Sequence, residues 1–161
     1  MLTVSNLVLI ITATATALMA GLFYAFSCSV NLGLARLSNA EYVSAMQSIN
    51  RAVRNPIFFA AFFGAPMLLP LSTFLHYGQS MRFRFLLAAT VIYLVGVFGV
   101  TVFGNIPLNN ALDRFNLEAA TEEETALPRA NFEMRWNNLS TIRTVSSTLA
   151  VILLVIACLN Q

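Results

Sequence analysis

Three polar runs in this chain combine residue types that can hold a flat molecule bearing an anionic oxygen. They are Asn55-Pro56, Asn105-Ile106-Pro107-Leu108-Asn109, and Trp136-Asn137-Asn138 with Arg143-Thr144. Guanidinium and amide groups donate hydrogen bonds to anionic oxygen, and the charge-assisted bonds are the stronger ones. An indole adds an apolar face for stacking and a single N–H donor. Tyr24, Ser27, Asn50 and Arg51 extend the same inventory. Taken one at a time, each residue has a plainer use: asparagines cap helices, arginines meet lipid phosphates, and a tryptophan belongs to an aromatic belt. The cluster deserves a functional reading only if the fold brings its members to one place.

Other chemistries find less support. There is one histidine, His76, and a lone histidine at a span end is expected to be a hydrogen-bonding residue rather than a catalyst. Cys28 and Cys158 belong at opposite ends of their helices, too far apart for a disulfide or a shared metal. The carboxylates gather between positions 113 and 133 without the inward Glu and Glu-x-x-His pairs of a di-iron bundle. No glycine-rich phosphate loop or dinucleotide fingerprint occurs, and no metal site is expected.

The elements that must position these residues follow from composition. The 161 residues are 58% hydrophobic and 10% charged, against about 25% charged in a soluble domain. That excludes a disordered chain and, with two cysteines, a disulfide-stapled module. The net charge is +2 and every cation is an arginine, so no dense basic face for nucleic acid exists. Charges are missing from 1–35, 55–81, 85–112 and 144–161. Each stretch suits a helix of roughly 20 residues across about 30 Å of hydrocarbon. The fold expected is all-α, an integral membrane four-helix bundle forming one transmembrane domain over 1–161. Its spans are expected near 5–28, 57–77, 83–104 and 139–159.

The first segment is expected to be kept rather than cleaved, since it has no basic n-region and exceeds a signal-peptide core. Ala13, Ala17 and Gly21 offer it a small-residue packing face, and Gly96 and Gly99 do the same for the third span. Pro66 and Pro70 predict a kink in the second span rather than a break. Four crossings put the termini and the 78–82 turn on one side, and the 29–56 and 105–138 connections on the other.

Those two connections carry structure. Ser38 to Glu41 is a capping box, followed by Tyr42, Met46, Ile49 and Val53 at helical spacing, with Gln47, Asn50, Arg51 and Arg54 on another face. Pro107 suits a helix start, and Leu108, Leu112 and Phe115 make an apolar stripe beyond it. Glu122 to Glu124 reads as a solvated loop or helix N-terminus. From Pro128 a helix can run into the fourth span, about 45 Å at 1.5 Å per residue. Steps of 100° put Phe132, Trp136, Ser140, Arg143 and Ser147 in one stripe of it. Arg143 then lies at a depth where a charge must be paired or face a wet cavity. The arginine count puts the two long connections in the cytoplasm, but Arg82 and Arg84 favour the reverse, so orientation stays open.

The same runs carry a resemblance. Gly21-Leu-Phe-Tyr-Ala-Phe-Ser27, Ala45-Met-Gln-Ser-Ile-Asn-Arg-Ala52 with Asn55-Pro56, Asn105-Ile-Pro-Leu-Asn109 and Trp136-Asn-Asn-Leu-Ser-Thr-Ile-Arg-Thr144 resemble segments of the anthrone oxygenase-like family. This is a family of small four-span membrane proteins, and the likeness covers nearly the whole chain in order and spacing. It implies a cofactor-independent monooxygenase, without metal or flavin, that converts a lipophilic polycyclic phenol with dioxygen. On that basis Arg143, Asn105, Arg51 and Asn138 are the candidate catalytic residues, supplying charge and amide donors to an enolate oxygen. Trp136, Tyr24, Asn50, Asn55 and Asn109 are the candidate substrate-binding residues. The base is a carboxylate such as Glu133 or a water held by asparagines.

A non-catalytic subunit or small-ligand binder fits the same residues and needs no base. A channel fits less well, because apart from Arg143 the spans hold no ionisable residue to select ions. The partners expected are the lipid bilayer and a hydrophobic aromatic small molecule with dioxygen; no nucleic acid is expected, and a homo-oligomer is compatible. In a bacterium the location expected is the inner membrane.

Overall fold

The computed structural model describes residues 3–160. Four helices in it are long and apolar enough to cross a membrane: α1 (Val4–Leu34), α3 (Pro56–Leu75), α4 (Met81–Asp113) and α5 (Glu122–Leu159). A shorter helix, α2 (Asn39–Ala52), lies in the first long connection. The chain is therefore an all-helical four-helix bundle of the multi-pass membrane type, with an even number of crossings.

The helix ends are set by local chemistry. Ser38 accepts from the Glu41 N–H while the Glu41 carboxylate accepts from the Ser38 N–H, the reciprocal box that starts α2. These bonds hold the Glu41 carboxyl below its ordinary pKa. Asn55 caps α3 by accepting from the Phe58 N–H at 3.0 Å, with Pro56 as first helical residue. The helix then continues through Pro66 and Pro70. Gly78, at φ 92°, makes the tight turn into α4 that a side chain would strain. A second box, Thr121 with Glu124, starts α5 six residues before Pro128 and makes the acidic run a helix N-terminus. All 38 residues of α5 form one helix, about 57 Å at 1.5 Å per residue, so its first turns stand outside the hydrocarbon.

Within the membrane, Leu9, Met19, Phe23, Phe62, Leu69, Leu86, Tyr93, Val97 and Leu154 share one core. Small hydroxyl residues stitch it: Thr12 and Ser72 share a 2.7 Å hydrogen bond, as Thr73 and Thr90 do at 2.8 Å. A second apolar cluster, built from Tyr42, Met46, Leu112, Phe132 and Trp136, lies among the connections. Burial there raises the Tyr42 phenol pKa. Gln47 donates to the Leu112 and Phe115 carbonyls at 2.8 and 2.9 Å, tying α2 to the end of α4.

The packing face expected on α1 differs from the one observed. Ala17 and Gly21 are exposed, and α1 turns Thr12, Thr16, Met19, Ala20 and Phe23 inward instead. The threonines return their hydroxyls to the Val8 and Thr12 carbonyls, so they pack as small residues without an unpaired polar atom. On α4 the expectation at Gly96 agrees with the structure, since a Cβ there would collide with the Ser146 side chain of α5.

The register of α4 has its own cause. Ala89, Tyr93, Val97, Thr101 and Asn105, each four residues after the last, are all buried. An α-helix of 3.6 residues per turn drifts about 40° at every such step and would carry the row off the core face. Wide turns at Leu94–Gly99 and Thr101–Asn105 cancel the drift. In them the Val100 N–H reaches the Val95 carbonyl, and the Ile106 N–H reaches the Thr101 carbonyl, five residues back. α1 has one such turn at Phe26–Val30. Turns of this kind appear often at functional sites.

Candidate functional site

Two of the three wide turns, Phe26–Val30 and Thr101–Asn105, contribute to the walls of one cavity of about 270 Å³ at the end of the bundle nearer the long connections. Its walls divide by chemistry. Leu22, Phe23 and Phe26 from α1, with Phe58, Phe59, Phe62 and Phe63 from α3, form an apolar side. The Phe58 and Phe62 rings stack at 5.3 Å. Thr101, Asn105, Asn109, Asn110 and Asp113 run along α4, Asn50 comes from α2, and Arg54 from the turn that follows it. Trp136 and Arg143 complete the lining from α5.

Arg143 is the most demanding residue of the site. It is 6% exposed, and its Nε is buried with no hydrogen-bond partner among the described residues. Its guanidinium carbon lies 4.6 Å from the Phe23 ring centroid and 5.1 Å from that of Trp136. Two such cation–π contacts offset part of a burial cost that amounts to several kcal/mol for an unpaired ion. No carboxylate pairs with it among the described residues.

Two amides share the condition. Asn105 is 1% exposed, and its Oδ1 is a buried acceptor without a donor, while Nδ2 makes only a long 3.5 Å bond to the Trp136 carbonyl. Asn50 keeps an unpaired buried Nδ2. Buried polar atoms in native proteins are nearly always paired, so three orphans on one cavity wall call for a ligand or a water. Trp136, by contrast, is fixed: its Nε1 donates to the Asn109 Oδ1 at 2.8 Å, and its ring lies 6.0 Å from Phe132 and 5.8 Å from Phe26.

Five of the nine residues singled out in the sequence thus meet: Arg143, Asn105, Asn109, Asn50 and Trp136. The other four lie outside the lining. Arg51 is turned to solvent, with Nε on the Asp113 carboxylate at 3.0 Å and Nη2 on the Gln47 amide oxygen. Asn138 is exposed on the outer face of α5, two residues from Trp136 and so about 200° around the helix. Tyr24, 61% exposed, follows Phe23 on α1 and faces outward. Asn55 spends its side chain on the α3 cap and the Ala52 carbonyl. Ser27 joins the Thr144 hydroxyl at 2.7 Å, holding α1 against α5.

Glu133, named as a base, is held by Arg129 at 2.8 Å and does not line the cavity. Asp113 is the carboxylate that does, gripped by Arg51 and by Arg54 at 3.1 Å. It ends a polar row Asn105, Asn109, Asp113 that a four-residue spacing could have revealed. Its distance from Asn105 is about 12 Å along the axis at 1.5 Å per residue. Phe23, Phe26, Phe58 and Phe62 gave no sequence signal beyond their abundance. His76, at the other end, is buried with Nδ1 donating to the Ser72 carbonyl at 2.8 Å.

A family model described as anthrone oxygenase matches residues 56–153, which span α3, α4 and most of α5. That stretch supplies Asn105, Asn109, Trp136, Arg143 and the four phenylalanines of α3 to the cavity, whereas Asn50, Phe23 and Phe26 precede it. No curated protein and no solved structure matches the chain.

Proposed function

Since the chain belongs to the anthrone oxygenase family, we propose that it is a membrane-embedded, cofactor-independent oxygenase of a lipophilic polycyclic phenol. The observation that carries this reading is that the unpaired Arg143 guanidinium and the orphaned Asn50 and Asn105 amides line the same cavity as a row of phenylalanines. A fused aromatic ring system with one ionisable oxygen complements both walls at once. The volume of about 270 Å³ lies near the lower end of small-molecule sites, which suits a flat ligand.

The chemistry follows from the substrate. An anthrone methylene lies across the central ring from a carbonyl, and losing its proton delocalises charge onto that carbonyl oxygen. Arg143 and the unpaired Asn50 Nδ2 are the donors assigned to the oxygen, with the remaining Asn105 N–H as a third, and Trp136 and Phe23 hold the ring plane. The electron-rich carbon then gives its electrons to dioxygen, forming a C–O bond and a hydroperoxide. Loss of water from the hydroperoxide leaves the second carbonyl. One dioxygen thus converts the CH2 group to C=O and releases one water. The proton is assigned to water relayed along Asn109 to Asp113, since a carboxylate about 12 Å from Asn105 cannot reach the carbon directly.

A ligand-binding protein without turnover is the second reading. It is favoured by one observation: Asp113, the acidic lining residue, is already neutralised by Arg51 and Arg54. Purified protein in lipid nanodiscs, given a hydroxylated anthrone in air, separates the two. An oxygenase raises the rate of quinone absorbance above the autoxidation of empty nanodiscs, with one dioxygen consumed per quinone, and Arg143→Met removes the gain. Saturable binding with rates equal to the empty nanodiscs would assign the cavity to binding alone.

A further inference from the structure

The cavity is not closed equally on all sides. α1 is held to α5 by Ser27, Thr144 and the Phe23 carbonyl, with Thr144 donating to that carbonyl at 3.1 Å. α4 meets α5 at Gly96–Ser146 and again where Asn105 reaches the Trp136 carbonyl. α2 covers the top through Gln47 and the Arg51–Asp113 pair at 3.0 Å, and Arg54, just past its end, joins the same carboxylate at 3.1 Å. The seam between α3 and α4 is different. Deep in the bundle it is tied by Thr73 and Thr90, and midway Phe62 and Phe63 meet Phe98 at 5.4 and 6.4 Å. Above Phe98, no hydrogen bond, ion pair or aromatic contact joins α3 to α4 among the described residues. At that level Phe59, Phe63 and Ile106 line the cavity and are also 39%, 49% and 39% exposed. They face the ligand on one side and the acyl chains on the other.

We infer that the ligand reaches the cavity sideways from the bilayer, through a window between α3 and α4 framed by Phe59, Phe63 and Ile106, with Phe98 as its sill. This rests on the reading that the cavity takes a lipophilic aromatic, and it adds that the molecule arrives dissolved in lipid rather than in water. The rim is wholly apolar, so a hydrated molecule would shed its water with nothing to replace it. An aromatic already in the acyl region loses nothing there and meets phenylalanine edges. One wide turn of α4 contains Phe98 and the next, Thr101–Asn105, begins just above it.

Trp136 is the one tryptophan of the chain and lines the cavity, so it reports occupancy directly. Protein in phosphatidylcholine vesicles is mixed with vesicles or buffer carrying a hydroxylated anthraquinone, and quenching of Trp136 is followed in time. The window predicts a rate that follows the mole fraction of probe in the lipid, not its aqueous concentration. Ile106→Phe should slow association and dissociation together by about tenfold with Kd unchanged, within the range that interface changes produce. Ile106→Ala should speed both, and Arg51→Gln, which loosens the aqueous side without touching the cavity lining, should change neither. Faster association in Arg51→Gln with no response at Ile106 would overturn the window and leave the binding reading intact. Absence of quenching in every protein would instead remove the ligand reading, and the window with it.

Discussion

Replacing Arg143 by methionine should make the protein more stable and less active at once. The side chain is 6% exposed, its Nε has no partner among the described residues, and its guanidinium lies over the Phe23 and Trp136 rings. Burial of an unpaired ion costs several kcal/mol even after relaxation. Against that stand two cation–π contacts at about 0.5–2 kcal/mol each. Methionine has similar length, keeps contact with both rings and adapts to irregular space. The balance favours methionine by about 1–3 kcal/mol, or a melting point roughly 3–10 °C higher for a chain of this size. Function should move oppositely. Removing one preorganised donor to a developing oxyanion costs about 2.7–4 kcal/mol, or 10²–10³-fold in kcat. The assay pairs a thermal melt of protein in nanodiscs with quinone formation from a hydroxylated anthrone. Arg143→Lys should fall between, because it keeps the charge but loses the planar fork. A lower melting point in Arg143→Met, with binding and turnover unchanged, would show that the arginine serves the fold and would refute the assignment.

Gly96→Ala should destabilise the bundle by about 1–3 kcal/mol through overpacking, because its Cβ would collide with Ser146; Gly96→Ala with Ser146→Gly should recover most of the loss in a thermal melt. Asn109→Ala leaves the buried Trp136 N–H without its acceptor and should cost about 1–3 kcal/mol, whereas Trp136→Phe in the same background should add little on top, a coupling that a double-mutant cycle of melting points measures. Ser38→Ala should cost about 1 kcal/mol at the start of α2. The Glu41 carboxyl is held below its usual pKa by the same box, so its contribution is present above the unfolded value near pH 4.3 and fades as the pH drops through the folded one. Amide exchange in α2 should therefore lose protection on acidification in the natural protein, and Ser38→Ala should flatten that response.

How much of this could be read in the sequence depends on which helix is asked. In α5 the buried residues Phe132, Trp136, Ser140, Arg143 and Ser147 fall in the stripe that 100° steps predict, because the helix is regular over its length. Charge gaps located the four crossings, and the box at Ser38 located the start of α2. The helices run longer than the hydrocarbon spans, to Leu34 and Asp113, because the connections pack on them. In α4 the same arithmetic fails, since two wide turns shift the phase and bring Thr101, Asn105 and Asn109 under one another. No residue type announces such a turn. Nor does composition say that Arg51 will choose Asp113, or that Asn138 lies on the far side of α5 from Asn109.

A comparison within the molecule says what the buried arginine is for. The bundle encloses two, one at each end. Arg82 is 9% exposed and donates to the Ala157 and Asn160 carbonyls at 3.0 and 2.8 Å and to the Asn6 and Gln79 amide oxygens at 3.3 and 3.4 Å. It closes the C-terminus of α5, where helix carbonyls lack partners and a cation is favourable. That is how this fold satisfies a guanidinium when the fold is all it serves. Arg143 makes no such bond among the described residues, while its neighbour Thr144 donates its hydroxyl to the Phe23 and Ser140 carbonyls. Selection for stability alone would have replaced such a residue, since an apolar side chain fits between the same rings at lower cost. Its retention, with donors turned toward a cavity that Asn50 and Asn105 also face unpaired, is the arrangement expected of a site whose missing hydrogen bonds are completed by the molecule it binds.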